Sequence, residues 1–311
     1  MAEAVDSRRS RPPGSTFAEW HAPDGWPLRR MDWTQPAGAE PRGSLLFAGG
    51  RSDFIEKYLE AYAHWHAAGW NVMAFDWRGQ GGSRGDIAGG NLTSFDPWVD
   101  DLAALIADWR GSSPGPHVMV AHSMGGHLLL RTLVERRPAL DAAVLIAPMI
   151  AVNSAPLWPP LAPYVTELMC LAGWRDAPIL RTPPRFARPG SRRQHILTGS
   201  AERYADELWW WEQEPGFNIG NPSWGWMRAA YRSAAAFAPG RLKEVEVPVL
   251  LLGTERDRLV SPAAIRRVAA LLPKAEFHIY PDAGHEILRE ADPVRLDAMA
   301  RIGAFLDAHA R

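Results

Sequence analysis

Along most of the chain, continuous apolar runs alternate with stretches of helical spacing. Ser44–Gly50, Asn71–Trp77, His117–Ser123, Ala142–Met149, Val247–Thr254 and Ala275–Pro281 are short, β-rich and apolar without alternation, the pattern of strands covered on both faces. Asp53–Ala68, Ser94–Arg110, Met124–Arg137, Ser261–Leu272 and Pro293–Ala308 carry apolar positions at helical spacing. Strand followed by helix, repeated, predicts a mainly parallel sheet with helices on both faces. Phe17–His21 and Leu28–Thr34, joined by Ala-Pro-Asp-Gly-Trp-Pro, read as an opening hairpin. That brings the sheet to eight strands.

The rhythm stops between residues 150 and 240. This stretch holds Pro156, Pro159, Pro160, Pro163, Pro178, Pro183, Pro184 and Pro189, and Trp158, Trp174, Trp209, Trp210, Trp211, Trp224 and Trp226. It is too long for a structureless connector, so it predicts a helical cap inserted between two parts of one core, residues 17–149 and 241–311. Residues 1–16 contain Arg8, Arg9, Arg11 and Pro12-Pro13-Gly14 but no apolar h-region. They read as a disordered tail and not as a signal peptide.

Composition narrows the function classes. With 34 basic and 35 acidic residues the formal net charge is −1, which argues against a nucleic-acid binder, since such proteins need a basic surface to displace counterions. Cys170 is the single cysteine. It can form no internal disulfide, no Cys/His cluster has zinc spacing, and a reducing, cytoplasmic setting is the simple expectation. The longest apolar candidate for a membrane span, 157–174, is broken by three prolines and Glu167.

The sharpest chemical signal is His117–Gly126, H-V-M-V-A-H-S-M-G-G, where a strand ends at Ser123 and a helix begins at Met124. A nucleophile elbow needs this setting: a tight strand-to-helix turn, with small neighbours, exposes the serine hydroxyl. Gly125 supplies one small residue, and Ala121 stands where the usual first Gly would be. The competing reading, Ser123 as a mere helix cap, gives way to the order of possible partners. Asp257 follows the strand Val247–Thr254, with Glu255 and Asp282 as alternative acids, and His285 follows the last strand. Ser, Asp, His is the chain order of a hydrolase triad on an open α/β sheet. The backbone N–H of Met124, at the helix N-terminus, is one oxyanion donor. The loop Ala48-Gly49-Gly50-Arg51-Ser52 offers the Arg51 N–H as the second, with Gly50 permitting close approach.

Other histidines and glycines carry less. His64 and His66, two apart on a helix, face different directions and make a poor metal pair; His122 and His127 read as packing or surface groups. Gly79–Gly85 fails the dinucleotide fingerprint, because Arg84 falls on its last Gly and no helix opens.

Taken together, Phe75–Ser83 (FDWRGQGGS), Ala121–Gly126 (AHSMGG), Gly253–Asp257 (GTERD) and Ala283–Leu288 (AGHEIL) resemble the α/β-hydrolase superfamily, in the branch of bacterial lysophospholipases and monoacylglycerol lipases, also called serine-aminopeptidase-like hydrolases. The Gly-Gly-Arg turn and Asn221–Trp226 are more similar to the lysophospholipases. The resemblance implies a cofactor-free, metal-free serine hydrolase of lipid-like carboxylic esters. Lysophospholipid is the first expectation, with monoacylglycerol or general esters as alternatives. Fold analogy leaves two more distant readings open, a non-catalytic binder and an acyltransferase.

The cap carries two further expectations. Three consecutive tryptophans cannot all face inward on a helix, so some of Trp209, Trp210 and Trp211 should line an acyl tunnel or meet lipid. Residues 175–193 contain Arg175, Arg181, Arg185, Arg188, Arg192 and Arg193 against one acid, Asp176. Such a run is either a solvated face or a contact for anionic headgroups at a membrane surface.

Overall fold

The computed structural model describes residues 7–180 and 187–310. Eight strands form one sheet: β1 (Thr16–His21), β2 (Pro27–Trp33), β3 (Gly43–Ala48), β4 (Trp70–Phe75), β5 (His117–His122), β6 (Ala142–Ile146), β7 (Val249–Thr254) and β8 (Ala275–Tyr280), in the order β1-β2-β4-β3-β5-β6-β7-β8. β1 and β2 pair as an antiparallel hairpin, β2 runs antiparallel to β4, and all the other neighbours are parallel. This is the mainly parallel sheet expected from the alternation of apolar runs, in the α/β-hydrolase arrangement that the resemblance implies.

Each central strand feeds two cores. Leu46, Ala48, Met119, Ala121, Leu145 and Leu251 pack with helices Asp96–Ser112, Met124–Glu135 and Pro262–Ala269. Leu45, Phe47, Val118, Val120, Val144 and Leu252 pack on the opposite face with helices Leu59–Ala67 and Asp292–His309. Adjacent residues of one strand point to opposite faces, which is why these runs show no alternation. At about 1.5–3 kcal/mol for each large apolar side chain fully buried, the two layers hold the strand ends that carry the site. β8 departs from the expectation of a buried strand: it is an edge strand, and Glu276 and Phe277 are exposed.

Between β6 and β7 the chain forms helices Ala162–Met169, Arg192–Leu197, Ala201–Gln213 and Trp224–Ser233. Ser191, Ser200 and Ser223 cap the last three of these, each accepting a hydrogen bond from the backbone N–H three residues on. The expectation of disorder over 1–16 fails for residues 7–16. Arg8 and Arg9 bind the two oxygens of Asp206, Arg11 binds buried Glu56, and Thr16 enters β1. Paired charges anchor a segment whose composition alone reads as a tail.

Candidate active site

Because β3, β5, β7 and β8 are parallel, their C-terminal ends meet along one edge, the crevice where ligands of open α/β sheets bind. Ser123 lies at the end of β5 with φ 52° and ψ −114°, a left-handed conformation that a non-glycine residue adopts only when its surroundings enforce it. Its N–H donates to the Ile146 carbonyl at 2.9 Å and its carbonyl accepts from His127 and Met149. A Cβ on Gly125 would strike the carbonyl oxygens of Ala48 and Gly49, and one on Gly126 would lie 2.9 Å from Pro148. Both positions therefore demand glycine, whereas Ala121 is accommodated, fully buried, two residues before the turn.

His285 Nε2 lies 2.8 Å from Ser123 Oγ, and His285 Nδ1 lies 2.7 Å from Asp257 Oδ2. Asp257 Oδ1 accepts the N–H groups of Leu259 and Val260 at 2.8 and 2.9 Å, so the carboxylate is held from behind and turns its other oxygen to the imidazole. Nδ1–H then donates to Asp257, leaving Nε2 to accept the Ser123 hydroxyl. Glu255 and Asp282, the alternative acids, are engaged elsewhere, with Arg266 and Arg256. Burial would raise the Asp257 carboxyl, but the His285 ring outweighs it and holds it below its usual range. Burial would likewise depress His285, and Asp257 reverses that, raising its pKa above 6.5.

The His285 loop is fixed by residues 196–197, because the His285 and Glu286 N–H groups donate to the Ile196 and Leu197 carbonyls at 3.1 and 2.7 Å. Gly284 must be small here, since a Cβ would lie 2.6 Å from the Leu197 oxygen.

The β3 loop presses against the serine: a Cβ on Gly50 would lie 2.9 Å from Ser123 Cβ. The Gly50 N–H donates to Asp53 Oδ2 at 2.5 Å and the Ser52 N–H to Gln80 Oε1 at 2.7 Å. Among the described residues the intervening Arg51 N–H has no acceptor. The Met124 N–H, first in its helix, has no intrahelical one either. Two unused donors thus lie on Met124, next to Ser123, and on Arg51, next to the Gly50 that presses on it.

Sequence reasoning missed the network beneath this loop. Asp53 accepts from Lys57 Nζ at 2.7 Å and from Tyr58 Oη at 3.0 Å, and its Oδ2 meets His122 Nδ1 at 2.9 Å. Lys57 reaches Glu286 at 2.6 Å, Arg289 pairs with Glu286, and Arg193 pairs with Glu207 at 2.7 Å. Desolvation opposes the charge on Asp53, but Lys57 and then His122 outweigh it and hold the carboxyl well below its usual range. The Asp53/Lys57 spacing of four was the one local signal; the remaining members converge from distant positions. His127, by contrast, packs between the Met149 carbonyl and Ser233 Oγ, and burial lowers it to about 4.

The three tryptophans are not placed as an acyl tunnel. Trp210 is buried with its Nε1–H on the Arg8 carbonyl, Trp209 lies under Arg9, and Trp211 under Arg193. Helix Ala201–Gln213 packs them on the N-terminal segment and the buried ion pairs, whose arginines cover the indoles that could not turn inward. Arg193, so engaged, is not a free headgroup contact. Arg188 and Arg192 are exposed; Arg181 and Arg185 lie outside the described residues. Among the described residues no three His, Cys, Asp or Glu are grouped to hold a metal, and no helix is long and apolar enough to cross a membrane.

A family model described as serine aminopeptidase, S33, matches residues 39–292. A lysophospholipase L2 of Escherichia coli strain K12 is 30% identical over 280 residues, 85% of this chain and 80% of its own. A probable lysophospholipase L2 of Haemophilus influenzae is 25% identical, covering 88% of this chain and 86% of its own. Among solved structures, a soluble variant of monoglyceride lipase from Saccharomyces cerevisiae superposes with a TM-score of 0.74 at 17% identity, over 97% of this chain and 98% of that one. A thermostable carboxyl esterase from Bacillus coagulans gives 0.72, also at 17%, over 96% and 99%. At that identity the structures speak for the fold.

Proposed function

Because the chain belongs to the serine aminopeptidase S33 family and is a carboxylic ester hydrolase, we propose that it removes the single acyl chain of lysophospholipids through an acyl-serine intermediate. The observation that carries this reading is the hydrogen-bonded chain Ser123–His285–Asp257, at 2.8 and 2.7 Å, on a left-handed elbow. His285 takes the Ser123 proton as Oγ attacks the ester carbonyl, and Asp257 holds the imidazole and stabilises its charge. The N–H groups of Met124 and Arg51 receive the oxyanion, each worth about 2.7–4 kcal/mol in comparable sites. The same histidine protonates the leaving alkoxide, then activates water to release the fatty acid.

The lipid part rests on the relatives named lysophospholipase and on the surface of 158–180. Of the ten large apolar side chains most exposed among the described residues, seven fall there: Trp158, Leu161, Tyr164, Leu168, Leu171, Trp174 and Leu180. Leu171 and Tyr164 are 76% and 74% exposed, and such a concentration marks an interaction surface. Its assigned role is contact with a lipid surface, with exposed Arg175 in the same stretch suited to anionic headgroups. Peripheral attachment of a cytoplasmic enzyme fits this reading.

A panel of lysophospholipids, monoacylglycerols and short p-nitrophenyl esters, run on wild type and Ser123→Ala, tests it. Lysophospholipid should give the highest kcat/KM, and Ser123→Ala should abolish all turnover. A higher value for monoacylglycerol or short esters would make the protein a monoacylglycerol lipase or a general carboxylesterase. Retained activity in Ser123→Ala would remove the serine mechanism.

A further inference from the structure

Arg51 follows Gly50, which presses on Ser123, and carries a cation without an anion to answer it. Its guanidinium donates to two backbone carbonyls, Gly89 at 2.8 Å and Gly220 at 2.7 Å, and lies over the Trp226 ring at 5.5 Å. Its Nε–H is enclosed and has no partner. Other enclosed arginines meet carboxylates: Arg29 binds Glu56 and Asp76, Arg78 binds Asp24 and Asp101, and Arg289 binds Glu286. Among the described residues no carboxylate lies within ion-pair distance of Arg51. Burial pulls its pKa down to about 9 with no acidic neighbour opposing the shift, so it stays charged at neutral pH. A cation taken from water and given no counter-charge is costly, a cost that a bound anion would offset.

The position specifies which anion. The backbone N–H of this same residue is an oxyanion donor in the mechanism above, so the guanidinium is rooted at the reacting carbonyl. Five bonds separate an arginine Cα from its guanidinium carbon, and six separate the ester carbonyl carbon of a 1-acyl lysophospholipid from its phosphorus. The two spans differ by one bond. The guanidinium also bridges the core loop at Gly89 and the inserted segment at Gly220, and the residue is half-buried. We propose that the Arg51 side chain is the phosphate-recognition group of this site, selecting single-chain acyl esters that carry a phosphodiester over neutral ones. This deepens the lysophospholipase reading and rests on it. The carbonyls hold the fork in place, and its remaining N–H groups present charge-assisted donors to phosphate oxygens.

The experiment measures kcat/KM for lysophosphatidylglycerol and for monoacylglycerol of the same chain length, in wild type, Arg51→Met and Arg51→Lys. The backbone donor survives in both variants. The phosphodiester-to-neutral ratio should fall at least tenfold in Arg51→Met and by an intermediate amount in Arg51→Lys, whose point charge lacks the planar fork. A ratio unchanged while both rates fall together would reduce Arg51 to a strut between core and insertion and overturn the proposal. A ratio lost instead in Arg192→Gln/Arg258→Gln, two exposed arginines on the rim of an open groove of about 770 Å³ beside Asp257, would also overturn it. Should Arg51→Met fail to fold, the wild type decides: dodecyl phosphate should inhibit hydrolysis of a short ester more strongly than dodecanol, and less so as salt is raised. Equal inhibition would overturn the anion site. Wild type that cleaves neither lipid yet prefers dodecyl phosphate would instead remove the lysophospholipase reading and keep the anion site.

Discussion

Between Asp53 and Tyr58 the chain buries charge beneath the Ser123 site, whereas between Trp158 and Leu180 it exposes apolar surface. In the first region Asp53 Oδ1 and Oδ2 bind Lys57, Tyr58, His122 and the Gly50 N–H, and Lys57 is shared with Glu286. In the second, Leu168, Leu171 and Trp174 face solvent. Buried charge survives only when each group is answered, because its desolvation would otherwise cost several kcal/mol. Exposed apolar groups carry no such obligation within the fold. The first arrangement is rigid and sets loop geometry; the second contributes little to stability and is available to a partner. Loss of a buried charge should therefore damage stability and turnover together, and loss of an exposed leucine should alter only what happens at a lipid surface.

The largest effect belongs to the elbow. Ser123→Ala and His285→Ala should each lower kcat by on the order of 10⁶-fold, and the double variant should lose little more, since the pair acts as a unit. Additive losses in steady-state assays would break the proposed mechanism. Next comes the buried network. Asp53→Asn loosens the Gly50 loop and should lower kcat by about 10²-fold, the scale of one oxyanion donor, with KM nearly constant. Lys57→Met leaves Asp53 and Glu286 short of a cation and should cost about 3–5 kcal/mol in denaturant unfolding. A stable, fully active Lys57→Met would erase the contrast between the two regions.

A smaller effect is the pH profile. In the proposed mechanism His285 acts as a base only when unprotonated, and Asp257 holds its pKa above 6.5. Activity should therefore be lost as pH falls through a midpoint above 6.5. In Asp257→Asn the residual activity should show a lower midpoint, because burial then loses its largest opponent and only the more distant Glu286 and Asp53 still raise the imidazole. An unmoved midpoint would assign the titration to another group. The smallest change is expected for Leu168→Ser/Leu171→Ser: a several-fold drop in the ratio of vesicle-borne to soluble ester hydrolysis, with the thermal midpoint unmoved. A lowered midpoint would show that these leucines pack within the fold.

Period and order were legible along the chain. Continuous apolar runs become strands packed on both faces, and Leu45 and Leu46 show why, entering opposite cores. The turn at Ser123 was legible because the small residues around it leave so few other uses. Arg8 and Trp210 were not, since the tail becomes ordered only where Asp206 and the indole meet it. Edge exposure of β8 was hidden as well, because an edge strand and a central one share the same local pattern.

The sequence by itself determined the strand–helix alternation, the elbow at Ser123 and the order serine, acid, histidine, since these follow from short-range sterics and the side-chain period. Tertiary structure alone decided that Asp257 and neither Glu255 nor Asp282 faces the imidazole, that Lys57 joins Asp53 to Glu286 beneath the Gly50 loop, and that Arg51 lacks a carboxylate. Those facts depend on distances between residues up to 229 positions apart, as from Lys57 to Glu286, and electrostatic pairing is set by proximity in space, which no local pattern encodes.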